Sequence, residues 1–448
     1  MGGNYLPNTD QDRQSMISAI GVSCLEDLFI DIPDNVRLKR PLALPQAMAE
    51  PDLVHMLEDK ASRNLHTGQL PCFLGGGAYD HFVPSVVHHL AGRSEFYTAY
   101  TQYQPEISQG GLQALWEYQS MICELTGMDV SNASLYDGGT ALAEAMNLAC
   151  GSTGRSKVLV SSAVNPLYRK VLSTYAKDLG FSLEIVPASA GLSDKSAISE
   201  RCDGQTAAVI LQNPNFFGSV EDFTGLADTV HERGALLIVS ANPISLAILK
   251  PPGQYGADIT VGEGQPLGLG LQFGGPYLGF MAVREKLMRR MPGRIVGQTV
   301  DADGKRGFVL TLQAREQHIR REKAYSNICS NEALCAITAA MYLSVTGKQG
   351  LRHIAELCTA KAHYLAGEIQ KLPGWDLVYQ SPFFLEFVVR APQPPAQINQ
   401  NLLNKGIIGG LDLGRFDPAW QGQMLFSVTE KRTRAEMDAL VTALEVKS

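Results

Sequence analysis

The chain has 448 residues, of which 45% are hydrophobic and 19% charged, with a formal net charge of −7 at pH 7. That length supports two or three domains, or one large domain with a smaller satellite, rather than one small core. The acidic balance excludes nucleic acid and anionic membrane as main partners, and no apolar run reaches the roughly 18–20 residues that a membrane span needs.

The start, Met1-Gly2-Gly3-Asn4-Tyr5-Leu6, lacks a basic head and an apolar core, so it does not read as a secretory signal. Residues 1–75 read as a helical arm. The eight cysteines form no Cys-x-x-Cys pair and read as reduced, buried thiols of a cytoplasmic protein. His88-His89 has no ligand partners at helical spacing, and no metal site is expected.

Residues 97–111 read YTAYTQYQPEISQGG. Tyr97, Tyr100 and Tyr103 recur every three residues beside Gln104, Glu106 and Ser108, and Pro105 forbids a continuous helix. Composition alone describes a surface loop. The tyrosines also combine apolar area with hydrogen-bonding tips, which suits a ligand wall or an interface. Leu112–Thr126 then reads as a core helix.

From Asn132 onward strands and helices alternate. Strands are predicted at Asn132–Tyr136, Lys157–Ser162, Ser182–Val186, Ala207–Leu211, Ala235–Val239 and Asp258–Val261. Helices are predicted at Gly139–Cys150, from Asn165-Pro166 to Gly180, and at Asp222–Arg233. Continuous apolar strands separated by helices of this length describe a mostly parallel sheet covered on both faces. Its ligands belong at the carboxyl ends of the strands, in the loops after Tyr136, Leu211, Val239 and Val261.

Asp137-Gly138-Gly139-Thr140, between a strand and a helix, is either a plain turn or an anion cradle of free amides. Gly262 to Gly279 holds seven glycines in eighteen positions, a density that lets backbone approach a ligand or a neighbouring chain closely. The stretch RGFVLTLQAREQHIRREKA, 306–324, reads either as a solvated helix face with ion pairs or as a source of arginine for a carboxylate or an acidic partner surface. After residue 331 come two long helices, 331–346 and 351–371. Strands follow at Asp376–Tyr379, Phe383–Val389 and Met424–Val428, with helices near 396–405 and 432–446. The expected domains are 1–75, 76–330 and 331–448.

Together these stretches resemble the P-protein family of the glycine cleavage system. The motifs are YTAYTQYQPEISQG, YQSMICELTGMDVSNASLYDGGTALAEAM, LKPPGQYGADITVGEGQPLG, FGGPYLGFMAVREKLMRRMPGRIVG and LTLQAREQHIRREKAYSNICSNEAL. They occur in the family's order, and the chain is similar to the N-terminal half of the fused P-protein. The resemblance implies the pyridoxal phosphate (PLP)-dependent transferase fold, type I, with a large α/β domain and a small C-terminal α/β domain. It also implies PLP-dependent glycine decarboxylation, with transfer of the aminomethyl group to the lipoyl arm of the H-protein.

That chemistry needs a Schiff-base lysine and, in this fold type, an aspartate paired with the pyridine nitrogen. Here Pro266 stands at the expected lysine position, Gln265 replaces the preceding histidine, and no aspartate lies between Arg233 and Asp258. The resemblance therefore implies that PLP sits on a paralogous partner, subunit 2, in a heterotetramer. This chain would complete the partner's site through Tyr97, Tyr100, Tyr103, Gln104, Glu106 and Ser108, with Gly274 and Gly275 near the partner's phosphate. Two other readings compete: a free-standing PLP transferase or lyase using another lysine such as Lys250, and a non-catalytic scaffold for its partner.

Overall fold

The structure is a computed structural model that describes residues 7–445. The readings of Met1–Leu6 and of Val446 as the end of the last helix lie outside the described residues. The chain divides into two compact units, 1–65 and 66–448.

In the first unit two helices, α1 (Asp10–Ile20) and α2 (Glu50–Ala61), are joined by extended and turn segments. Thr9 caps α1 reciprocally with Asp12, and Gly21 ends it in the left-handed region. Of the residues in these two helices only Ile17 is buried.

The second unit holds α3 (Ser85–Ala91), α4 (Ser94–Tyr97), α5 (Gln109–Thr126), α6 (Gly138–Thr153), α7 (Pro166–Leu179), α8 (Lys195–Arg201) and α9 (Leu226–Glu232). The short α10 (Gln317–Arg320), α11 (Ala333–Ile369), α12 (Pro395–Asn404) and α13 (Arg434–Leu444) follow. Its strands begin with β1 (Val130–Ser131), β2 (Lys157–Ser161), β3 (Ser182–Val186) and the small pair β4 (Ala188–Ser189) and β5 (Leu192–Ser193). Next come β6 (Thr206–Asn213), β7 (Leu236–Ala241), β8 (Ile259–Glu263) and β9 (Gly279–Val283). A seven-stranded sheet in the order β1-β9-β8-β7-β6-β2-β3 forms the centre. It is parallel from β3 to β8, and β9 and β1 close one edge antiparallel. The apolar runs of β6, β7 and β8 are buried throughout, because helices cover both faces.

The later strands are β10 (Ile295–Val300), β11 (Arg306–Thr311), β12 (Asp376–Leu377), β13 (Glu386–Arg390), β14 (Leu411–Asp412) and β15 (Gln423–Ser427). The last four form an antiparallel sheet in the order β12-β13-β15-β14, packed on α11, α12 and α13 around Phe387, Phe426, Trp375 and Leu440.

Three expectations change. Residues 306–311 do not continue into a basic helix: β11 pairs antiparallel with β10 along its whole length. Phe308 and Leu310 turn inward with the two-residue period of a strand, and only Gln317–Arg320 is α-helical among the charges that follow. The strand expected at Asn132–Tyr136 is instead β1 (Val130–Ser131), with Leu135 in an isolated bridge to Gly279, whereas the two helices expected at 331–371 are both present, meeting within α11 at the non-helical backbone of Gly347 (φ 59°). The helix expected from Asp222 begins only at Leu226, because Asp222 turns its carboxylate back to the Thr224 N–H and Gly225 takes a left-handed φ of 81°.

A strap, residues 71–82, runs between the two sheets. Phe73 accepts from Ser427 N and donates to Ile408 O. Asp80 receives Lys431 and the buried Arg432 at 2.8 and 3.0 Å. His81 Nδ1 lies 2.6 Å from Glu430 Oε2, and Phe82 N donates to Glu430 Oε1 at 2.7 Å. Cys358 completes this buried cluster with its Sγ 3.4 Å from Glu430. His81 and the Phe82 N–H already engage both oxygens of Glu430, so these contacts fix the strap.

Candidate functional site

The ends of β6, β7 and β8 and the N-terminus of α6 converge where a sheet of this kind holds its ligand. The lining residues include Asn165, Tyr168, Gln212, Ser240, Asn242 and Glu263, closed over by Tyr79 of the strap and Glu386 at the start of β13. The cavity they leave measures about 30 Å³, enough for one or two waters.

The sequence around β8 explains this closure. Gly262 tolerates no side chain, since a Cβ there would lie 2.2 Å from Ala241 O of the adjacent strand. The glycine thus serves close strand packing inside the chain. Glu263 follows and turns its carboxylate into the site. Its Oε1 accepts from Gln265 N at 2.9 Å and Leu278 N at 3.0 Å, and its Oε2 accepts from Gly138 N at 3.0 Å.

Gly138 is the first residue of α6. An internal carboxylate therefore occupies the helix N-terminus, where the dipole and free amides favour an anion. Asp137 takes another of these amides, accepting from Thr140 N at 2.8 Å. The Tyr168 ring packs over the same turn: a Cβ on Gly138 would lie 2.6 Å from its hydroxyl.

Gln265 and Pro266 are both buried. The Gln265 side chain pairs with the strap, accepting from Tyr79 N at 2.9 Å and donating to Tyr79 O at 3.0 Å. The Tyr79 hydroxyl donates to Glu386 Oε2 at 2.8 Å, while Gly76 N donates to Glu386 Oε1 at 2.6 Å. Burial pushes the Glu386 carboxyl up to about 7. Burial, with the Glu386 charge next, drives the Tyr79 phenol well above its ordinary value.

These residues do not fit PLP. Position 266 offers no amine, and β7 ends Ser240-Ala241-Asn242 without an acid for a pyridine nitrogen. The Gly138 amide at the α6 N-terminus is already spent on Glu263, whose carboxyl occupies the place a phosphate would take. Asp137-Gly138-Gly139-Thr140 accordingly acts as a helix cap.

The tyrosine segment lies elsewhere on the unit and divides in two. Tyr97 ends α4 and is 56% exposed, and Tyr100 is 79% exposed. Tyr103 is held from within: Arg294 Nη2 donates to its hydroxyl at 2.8 Å, and the guanidinium lies 4.9 Å from its ring centroid. Gln104 is exposed, Glu106 is exposed in a turn, and Ser108 is the cap residue of α5 without a side-chain cap bond. Thr101 and Tyr100 meet Ser330 at 2.7 and 3.3 Å, and the Gln109 side chain bridges both backbone groups of Phe308. Gly274 and Gly275 sit in a turn with φ of 95° and 83°, beside an 80% exposed Phe273. Of the basic stretch, Arg315 turns inward to Met291 O, and Glu316 lies buried 3.8 Å from Arg294. Arg315 and Glu316 thus hold the segment from within, while Arg320, Arg321 and Lys323 are exposed.

Sequence reasoning missed Tyr79, Tyr168, Glu263 and Glu386 as a set. Two signals were present: an acid between two glycines at the end of an apolar strand, and a lone acid, Glu386, in the otherwise apolar run Phe383–Val389.

The doubly covered sheet, its ligand loops and the C-terminal sheet above them define the PLP-dependent fold-type I class. Glutamate decarboxylase of Lactobacillus brevis shares this fold with a TM-score of 0.66 at 14% identity, over 91% of this chain and 94% of that one. Within the class, the chain belongs to the glycine cleavage system P-protein family, which matches residues 3–444. It is 56% identical over 440 residues to "Probable glycine dehydrogenase (decarboxylating) subunit 1" of Moorella thermoacetica, spanning 98% of each chain. It is also similar to a crystal structure of glycine decarboxylase (P-protein) of the glycine cleavage system in inhibitor-bound form. That likeness has a TM-score of 0.90 at 44% identity and covers 98% of this chain and 99% of that one.

Proposed function

We propose that this chain is the subunit of a two-subunit glycine decarboxylase that holds no PLP of its own. A paralogous chain, subunit 2, carries the lysine and the cofactor, and two copies of each form the working enzyme. The heteromer decarboxylates glycine and passes the aminomethyl group to the lipoyl arm of the H-protein. One observation carries the reading: a chain akin along its whole length to a glycine dehydrogenase subunit 1 has a cofactor pocket closed by its own Glu263, Tyr168, Tyr79 and Glu386.

The contribution to the partner's site falls to Tyr97 and Tyr100, with Gln104, Glu106 and Ser108 as polar neighbours and Tyr103 as the internal anchor. Exposed aromatic rings beside an anchored residue suit a wall that a second chain completes. Gly274 and Gly275 would bring backbone toward the partner's phosphate. Residues 331–448 would act as the small domain, with the arm and the large domain ending near 75 and 330. The decisive experiment purifies this chain with and without the lysine-bearing subunit. It then measures exchange of bicarbonate with the glycine carboxyl in the presence of lipoylated H-protein. Turnover is expected only from the pair, and full turnover by either subunit alone overturns the reading.

A further inference from the structure

The first unit carries an apolar surface without a core. Large hydrophobic side chains stand exposed along it, among them Ile20, Ile30 at 84%, Val36, Leu42 and Leu44 at 73%. No residue of α2 is buried, and none of the short 3-10 turn Leu25–Phe29. Helices of 11 and 12 residues are each too short to persist in water by propensity alone and need a packed face. The exposed apolar side chains of residues 16–65 amount to on the order of 1,000 Å², matching the roughly 800 Å² per partner of a stable interface and exceeding an ordinary monomer patch.

We infer that residues 9–65 are a docking arm whose apolar side chains lie against the lysine-bearing subunit. The inference rests on the two-subunit reading above. Subunit 2 is favoured over a second copy of this chain because a relative matched over 98% of each chain is named subunit 1, a name that calls for a different second subunit. An interface of this area is of the size that a permanent complex uses. The arm would then order fully only on assembly, contributing association strength distinct from the tyrosine segment.

Hydrogen–deuterium exchange of the full chain, alone and in complex with the lysine-bearing subunit, tests this directly. Amides of 10–20 and 50–61 are expected to exchange fast in the isolated chain and to become protected in the complex. In parallel, Ile30→Ser and Leu44→Ser are compared with Val300→Ser, which changes an exposed residue of β10. Melting of the isolated chain should not move for any of the three. Each arm variant should weaken heteromer association at least about tenfold, measured by sedimentation, and V300S should leave it unchanged. The inference is overturned if the wild-type heteromer forms with the arm unprotected, if I30S and L44S assemble as tightly as wild type, or if the arm is already protected in a homodimer of this chain. If the wild-type chain does not associate with the lysine-bearing subunit at all, the two-subunit reading itself falls.

Discussion

The Tyr79 hydroxyl donates to Glu386 Oε2 at 2.8 Å, joining residues 307 positions apart. Through this bond the strap meets β13 over the closed pocket, and the buried carboxyl becomes a pH-sensitive element of stability. Glu386 has an ordinary value of 4.5, and burial raises it to about 7 in the folded chain. With the folded value the higher one, the unfolded chain releases its proton first. The folded state is therefore progressively disfavoured as pH climbs from about 4.5 through about 7. Glu386→Gln keeps the group neutral, with its amide facing Tyr79 and its carbonyl accepting from Gly76. Between pH 5 and pH 8.5 the wild type should lose on the order of 3 kcal/mol relative to E386Q. Urea unfolding at the two pH values measures the difference, and parallel losses would reject the assignment.

Glu263 is raised in the same direction, to about 8, by burial, but it differs in its partners. All three of its partners are backbone N–H donors. Glu263→Gln must turn its amide toward at least one of them and leave it unsatisfied in a buried site. The expected cost is about 1–3 kcal/mol, seen as a lower urea midpoint above about pH 8, where the Glu263 carboxyl is ionised. An unchanged midpoint would show that the carboxylate is not what holds the α6 N-terminus.

Restoring an amine should not restore the cofactor. Pro266→Lys supplies the missing nucleophile, yet a cavity of about 30 Å³ with Glu263 on the helix N-terminus still leaves no room for PLP. After incubation with PLP and borohydride reduction, mass spectrometry should find no phosphopyridoxyl adduct at the new lysine, provided circular dichroism shows a folded chain. An adduct there would mean that the pocket is more open than its geometry indicates.

The three tyrosines should separate by readout. Tyr97→Ala and Tyr100→Ala remove exposed rings, so the chain should melt as wild type does, while glycine turnover of the mixed complex falls and the partner keeps its PLP. Tyr103→Ala should instead lower the melting temperature of the isolated chain, because Arg294 loses both a hydrogen bond and a ring. The cation–ring contact alone is worth about 0.5–2 kcal/mol. Unchanged turnover in Y97A and Y100A would remove the segment from the partner's site.

The missing chemistry was legible residue by residue. Whether position 266 carries an amine, and whether an acid lies between Arg233 and Asp258, is a property of side-chain identity that folding does not alter. The parallel sheet was equally legible, since β6 and β7 are continuous apolar runs and α7 starts at Asn165-Pro166 and stops at Gly180, all local signals. The β10–β11 pairing was not legible: the charges after Thr311 masked the alternation of Phe308 and Leu310, and the pairing itself depends on a second strand.

The sequence by itself determined that position 266 carries no amine and that the chain folds around a doubly covered parallel sheet, because both follow from residue identity and short-range pattern. Only the tertiary structure decided what fills the place left behind. Tyr79, Tyr168, Glu263 and Glu386 come from four separated stretches, and no spacing in the chain encodes their meeting. It is set by strand order and by the strap, which bring an internal carboxylate to a helix N-terminus that binds anions in general.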